Sequence, residues 1–165
     1  MPITPFHFGP GAVLHAAAPR YVSFLAFCAA NVLIDLEPLY YLLTGQYPLH
    51  RFFHTYVGAV IVAMATVALF TLARRLTGVW SVPNPFRWQD LGIGGVAIGA
   101  TAGTLSHIFF DSIMHPDIRP FAPLSDSNPM LLAVTVPMLH WSCLAAGLAG
   151  VCVLAIRNLI RKAEG

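Results

Sequence analysis

The chain has 165 residues, of which 57% are hydrophobic and only 10% charged, and its mean hydropathy is +0.70. That balance lies outside soluble composition and predicts an integral membrane protein built as a single domain over residues 1–165. A formal net charge of +2 without a lysine- or arginine-rich run excludes a nucleic-acid partner of the usual basic kind.

The first charge is Arg20, so the N-terminus lacks the basic start of a signal peptide and is expected to be retained. Residues 10–18 predict a short helix, with Pro10 in its first turn and Pro19 just past its end. At about 14 Å it is too short to span a bilayer. It is expected as one arm of a partly inserted hairpin turning at Arg20, which returns His7 to the side of Asp35. With residues 1–20 on the opposite face, His7 would be excluded.

Residues 21–43 form the first candidate span. Pro38 disfavours helical dihedrals at Glu37, so a bend is expected there, with Asp35 in a wet pocket below the headgroups. Tyr56–Leu76 is uncharged until Arg74 and Arg75. Residues 91–114 are rich in glycine and alanine, as close helix packing in lipid requires. Residues 131–156 are interrupted only by Pro137 and His140. The expected fold class is therefore all-α: a polytopic bundle of about four spanning helices plus a short N-terminal re-entrant or interfacial helix.

Arg20, Arg74, Arg75, Arg87, Arg157, Arg161 and Lys162 fall on one side of this layout, and Arg51 and Arg119 on the other. That split predicts a cytoplasmic location for the first side. The expected setting is a bacterial cytoplasmic membrane, with the polar cluster facing the non-cytoplasmic side. Cys28, Cys143 and Cys152 form no C-x-x-C pair and are expected as small buried hydrophobes. Trp80, Trp88 and Trp141 suit interface anchoring or packing. Residues 115–130, with four prolines, have the length of a lid or binding loop.

Chemistry is concentrated at one end. His107 and Asp111 are four apart and share a helix face, with His115 one turn further. Alone, that spacing is more often that of a buried hydrogen-bonded pair tying helices together. His50 and His54 are also four apart at the mouth of the next span, with Pro48 placed to start its helix. Asp35 and Glu37 flank the expected bend. Three separate stretches thus deliver imidazoles and carboxylates to one membrane depth, where each unpaired group costs desolvation energy. The pattern predicts a divalent metal, zinc first and manganese or iron as substitutes. Arg51 and Arg119 flank the cluster and suit a phosphate or carboxylate, or else a salt bridge to Asp117 or Asp126. His140 and His15 are expected as packing histidines.

Thr4-Pro5-Phe6-His7, Ile34-Asp35-Leu36-Glu37, His50-Arg51-x-x-His54 and Leu105-Ser106-His107-x-x-x-Asp111 occur in an order that resembles the YdjM-like family of small membrane-bound proteins classed as metal-dependent hydrolases. That family is held to be distantly related to the zinc phospholipase C and single-strand nuclease superfamily. The resemblance covers roughly residues 3–123 and implies metal-site roles for His7, Asp35, Glu37, His54, His107 and Asp111. Ile34 and Glu37 depart from the family's P-D-x-D turn, the spacing of His50 and His54 is one residue shorter, and His115 replaces a small hydroxyl residue.

The function expected is a membrane-bound metal-dependent hydrolase with one or two zinc-like ions, acting on a membrane lipid or lipid-linked phosphoester. Glu37 is the candidate base, and Arg51 and Arg119 are candidates to offset phosphoryl charge. The alternative is a metal-binding or metal-transporting membrane protein without hydrolysis. A purely structural polar cluster and haem ligation by a histidine pair are the remaining readings.

Overall fold

A computed structural model describes residues 5–77 and 83–164. The fold is all-helical among these residues, as expected. The helices are α1 (Phe8–Ala17), α2 (Phe24–Ile34), α3 (Leu36–Leu43), α4 (Tyr56–Leu76), α5 (Ile93–Met114) and α6 (Val136–Ala163). Short 3-10 turns occupy Pro5–His7, Phe52–His54 and Pro85–Asp90. Four stretches are long and apolar enough to cross a membrane, α2 and α3 counting as one. Its 20 residues reach about 30 Å, the depth of a hydrocarbon core. The ten residues of α1 reach only half that. The outward faces of α4 and α6 expose Ile61, Met64, Leu72, Leu148 and Val151, a surface that suits acyl chains and not water.

The first span breaks two residues earlier than expected, at Asp35, and Glu37 stays helical. Pro38 is the third residue of α3, where a backbone N–H has no intrahelical partner to lose. The last span also shifts. Thr135 caps α6 by accepting from Met138 N, and Pro137 lies at the helix start instead of interrupting it. Pro48 does not begin a helix either; Thr55 caps α4 through Gly58 N at 2.9 Å. Cys143 is buried, Cys28 half-buried and Cys152 exposed on the apolar surface, so burial fails for the last. Trp88 packs on Phe70, Trp141 is exposed, and Trp80 lies outside the described residues.

The site is positioned by a ladder between α2 and α5. Along the one helix the contacts are made by Ser23, Phe27, Asn31 and Asp35, and along the other by Gly99, Gly103, His107 and Asp111. Both series advance four residues per rung, so the helices run in the same direction. A side chain on Gly99 would strike Ser23 O, and a Cβ on Gly103 would lie 2.7 Å from Phe27 O. The missing side chains let the backbones close up, as small residues do between helices in lipid. The two rungs above them are polar. On the other flank of α5, Ile108 joins Ile34, Ala59 and Val62 in an apolar cluster beneath the site.

Helix α1 crosses α6, where a Cβ on Gly150 would come within 2.6 Å of the Ala12 backbone. At the end of the bundle away from the ladder's polar rungs, Arg157 donates to Ala16 O and Arg74 to Leu91 O. Residues 115–135 cover the opposite end. Pro120 O accepts from Tyr56 N at 2.9 Å, Ile113 O accepts from Leu132 N at 3.0 Å, and Asn128 donates to Ser112 O at 2.8 Å. This long loop is tied down at both helix ends.

Candidate metal centre

Asp35, His54, His107 and Asp111 are all buried, and one donor atom from each lies within 4.8 Å of the others. His107 Nε2 is 3.3 Å from Asp35 Oδ1 and 3.2 Å from Asp111 Oδ2. His54 Nε2 is 3.9 Å and 3.8 Å from the same two oxygens. Tetrahedral ligands at about 2.0–2.1 Å from an ion would be separated by about 3.4 Å. The observed edges bracket that value.

The far side of each ring is already engaged. An ionised carboxylate only accepts, so His54 Nδ1 donates to Glu37 Oε2 at 3.1 Å. Asn31 donates its amide to Phe27 O, which turns Oδ1 toward His107 Nδ1 at 2.9 Å. Both Nε2 atoms therefore face the carboxylates. His54, His107 and His7 Nε2 and Asp111 Oδ1 are nevertheless buried without a hydrogen-bond partner. The short His–carboxylate separations thus lack hydrogen-bonding geometry. Lone pairs from two imidazoles and two carboxylates converging in a dry pocket are unfavourable unless a cation sits among them. The donor set can hold a divalent ion.

The N-terminal hairpin brings His7 to this cluster. Its Nε2 is 3.3 Å from Asp111 Oδ1, and its Nδ1 is 3.2 Å from His107 Nδ1. Burial pushes His7 down to about 4, against the pull of the Asp111 carboxylate. Burial would depress His54 as well, yet the carboxylates of Asp35 and Glu37 outweigh it and raise the ring above its ordinary value. A positive charge is favoured at His54 and disfavoured at His7.

A second group adjoins the first. Donor atoms of His50, Asp111 and His115 also lie within 4.8 Å of one another. Asp117 takes His50 Nδ1 at 2.9 Å and the backbone amides of Leu49 and His50 at 3.0 and 3.2 Å. Burial lowers His50 to about 4, the neighbouring His54 adding to the effect and Asp117 opposing it. Burial would raise Asp117, but its bonds to His50 hold it below the usual carboxylate range.

Three sequence-predicted residues stand back from the donors. Glu37 accepts from Arg51 N, Phe53 N and His54 Nδ1, all at 3.1 Å, so its carboxylate braces His54 from behind. Arg51 lies 3.6 Å over the Tyr41 ring and donates to Pro48 O and Gln46. Arg119 pairs with Asp126 at 3.0 Å in an exposed bridge, leaving Asp117 to His50. Both guanidiniums border a cavity of ≈ 390 Å³ that His50, Thr55 and Asp117 also line. His140 is the fifth residue of α6 and stacks on Phe6, closer to the helix start than a span from residue 131 implies. His15 binds Val22 O. Asn31 is the participant that sequence reasoning overlooks; its place one helical turn before Asp35 is the signal that could have found it.

Compared with known proteins, the chain matches no family model, no curated protein and no solved structure.

Proposed function

We propose that this is a membrane-bound, metal-dependent hydrolase of the YdjM-like kind, acting on a phosphoester of a membrane lipid or lipid-linked molecule. The observation that carries it is that buried Asp35, His54, His107 and Asp111 each bring one donor atom within 4.8 Å of the others, with both histidine Nε2 atoms lacking a hydrogen-bond partner. Two imidazoles with two carboxylates favour zinc, with manganese or iron as substitutes. A divalent ion at this end of the bundle, with a coordination place open, would supply a water acidic enough to ionise near neutral pH and an electrophile for a phosphoryl oxygen.

The chain's own residues then divide the work. His54, His107, Asp35 and Asp111 hold the ion, and Glu37 and Asn31 orient the two rings through their far nitrogens. Glu37, with three donors already on its carboxylate, is a positioning residue and not the base. Arg51 and Arg119 border the cavity next to the centre, where a planar guanidinium suits phosphoryl oxygens. The same end carries the bends and loops that lie at headgroup depth in a bundle of this length, which favours a lipid substrate, and the excess of arginines at the opposite end favours the non-cytoplasmic face for the site. Transport across the bilayer would need polar groups continuing down the bundle, whereas the core below the site is the apolar Ile34–Ala59–Val62–Ile108 cluster.

The test is metal content and phosphodiesterase activity on lipid substrates for the parent and for Asp111→Ala in detergent. The parent is expected to carry metal and turn over, and the variant to do neither. Parent protein free of metal after zinc loading refutes the proposal, and metal without turnover leaves only a binding protein.

A further inference from the structure

The four-residue centre accounts for one oxygen of Asp111 but not the other. Oδ2 lies 3.2 Å from His107 Nε2 and 3.8 Å from His54 Nε2, while Oδ1 is buried without a hydrogen-bond partner, 3.3 Å from His7 Nε2. His115 follows one turn after Asp111, at the end of α5, and its ring is tilted against that of His50 with centroids 4.5 Å apart. Among the described residues no hydrogen bond occupies the His115 ring. Asp117 accepts from the backbone amides of Leu49 and His50 and from His50 Nδ1, so the ring is oriented before any ligand arrives. A histidine braced by a carboxylate on one nitrogen is the usual preparation for a metal on the other.

We propose a second cation position, held by His50, Asp111 and His115, that shares the Asp111 carboxylate with the four-residue centre and keeps an open coordination place. This rests on the inner centre being a metal site. The two positions differ in enclosure. Inside, four ligands are buried, two of them with at most 1% of their surface exposed. Outside, only three protein groups converge, His115 is half-buried, and His50 lines the cavity bordered by Arg51 and Arg119. Four enclosed ligands mark a saturated, orienting ion, whereas three ligands beside a cavity leave room for solvent or a substrate oxygen. Two-metal sites that act on phosphoesters hold their ions about 3.5–4 Å apart, and a carboxylate common to both donor groups suits such a pair. The division of labour follows: the buried position organises the site, and the outer one meets the substrate.

Full-length protein in mild detergent is loaded with zinc and freed of excess, and metal is counted per chain by elemental analysis. The parent is expected to retain about two equivalents and His115→Ala about one. Separately, the parent loaded with manganese(II) is expected to show the spin-coupled signal of a carboxylate-bridged pair. A parent with one equivalent overturns the second position and leaves the inner centre standing, whereas a parent with none removes both. Two equivalents that persist in folded His115→Ala, or two manganese ions without coupling, also overturn it. If His115→Ala does not fold, the coupling measurement on the parent decides alone.

Discussion

Asn31 is the most informative residue to remove, because it touches the centre only through His107. Its Oδ1 accepts from His107 Nδ1 at 2.9 Å, and its amide is anchored on Phe27 O. Asn31→Leu keeps the volume but deletes the acceptor. The ring is then free to rotate, or to place its proton on the nitrogen that should bind metal. Loss of such an outer partner typically weakens metal affinity by about 10–100-fold, which is about 1.4–2.7 kcal/mol. In the metal-free protein the same change leaves the buried His107 Nδ1 with His7 Nδ1, 3.2 Å away, as its remaining partner, so the stability loss should stay at or below about 1 kcal/mol. Asn31→Asp restores an acceptor and should recover most of the affinity. The assay is competition for zinc against a chelating dye, beside apparent melting temperatures of stripped protein. A zinc affinity for Asn31→Leu within about twofold of the parent would refute the idea that His107 is oriented for metal.

Two further outcomes follow from the packing and the titrating groups. Gly103→Val should part α2 from α5, because the new side chain meets the Phe27 backbone; a melting loss equivalent to about 1–3 kcal/mol with impaired metal retention is expected. Gly94→Ala, with nothing within 4 Å, should be silent or slightly stabilising in the same two assays. In chelator-stripped protein, His7 and His50 are depressed to about 4, so their contribution is present above the ordinary histidine value of 6.5 and is lost as pH falls toward 4. His54 is raised, so its contribution is present below 6.5 and is lost as pH climbs through its elevated value. Thermal melts across pH should therefore peak near 6.5, and His50→Gln should shallow the acid limb only; a limb unchanged in that variant contradicts the assignment.

Much of the architecture is legible in the sequence because hydropathy and length dominate a membrane fold. The limits of α4 coincide with the uncharged stretch that predicts them, since Thr55 caps one end and paired arginines mark the other. The ladder is harder to see. Gly99 and Gly103 read as small residues for packing, and His107 and Asp111 read as chemistry, although they are one stripe. Asn31 reads as a tolerated polar residue until its partner 76 positions away is known. The start of α6 is misjudged because residues 131–135 are as apolar as a span. Leu132 has φ +55° and its N–H is taken by Ile113 O, neither of which hydropathy registers. The pairing of Asp117 with His50 in preference to an arginine is likewise a long-range event, joining the long loop to the turn before α4.

The four-residue rungs between α2 and α5 make this protein intolerant of changes in helix length that its hydropathy would never betray. Adding one alanine between Gly103 and His107 would swing everything beyond it by about 100° while leaving the segment as long and greasy as before. Asp111 would then take the buried position that Ser112 now holds, off the stripe that faces α2, and the glycines below would still dock. Spacing along these two helices is thus under a tighter constraint than amino-acid type at most other places in the chain.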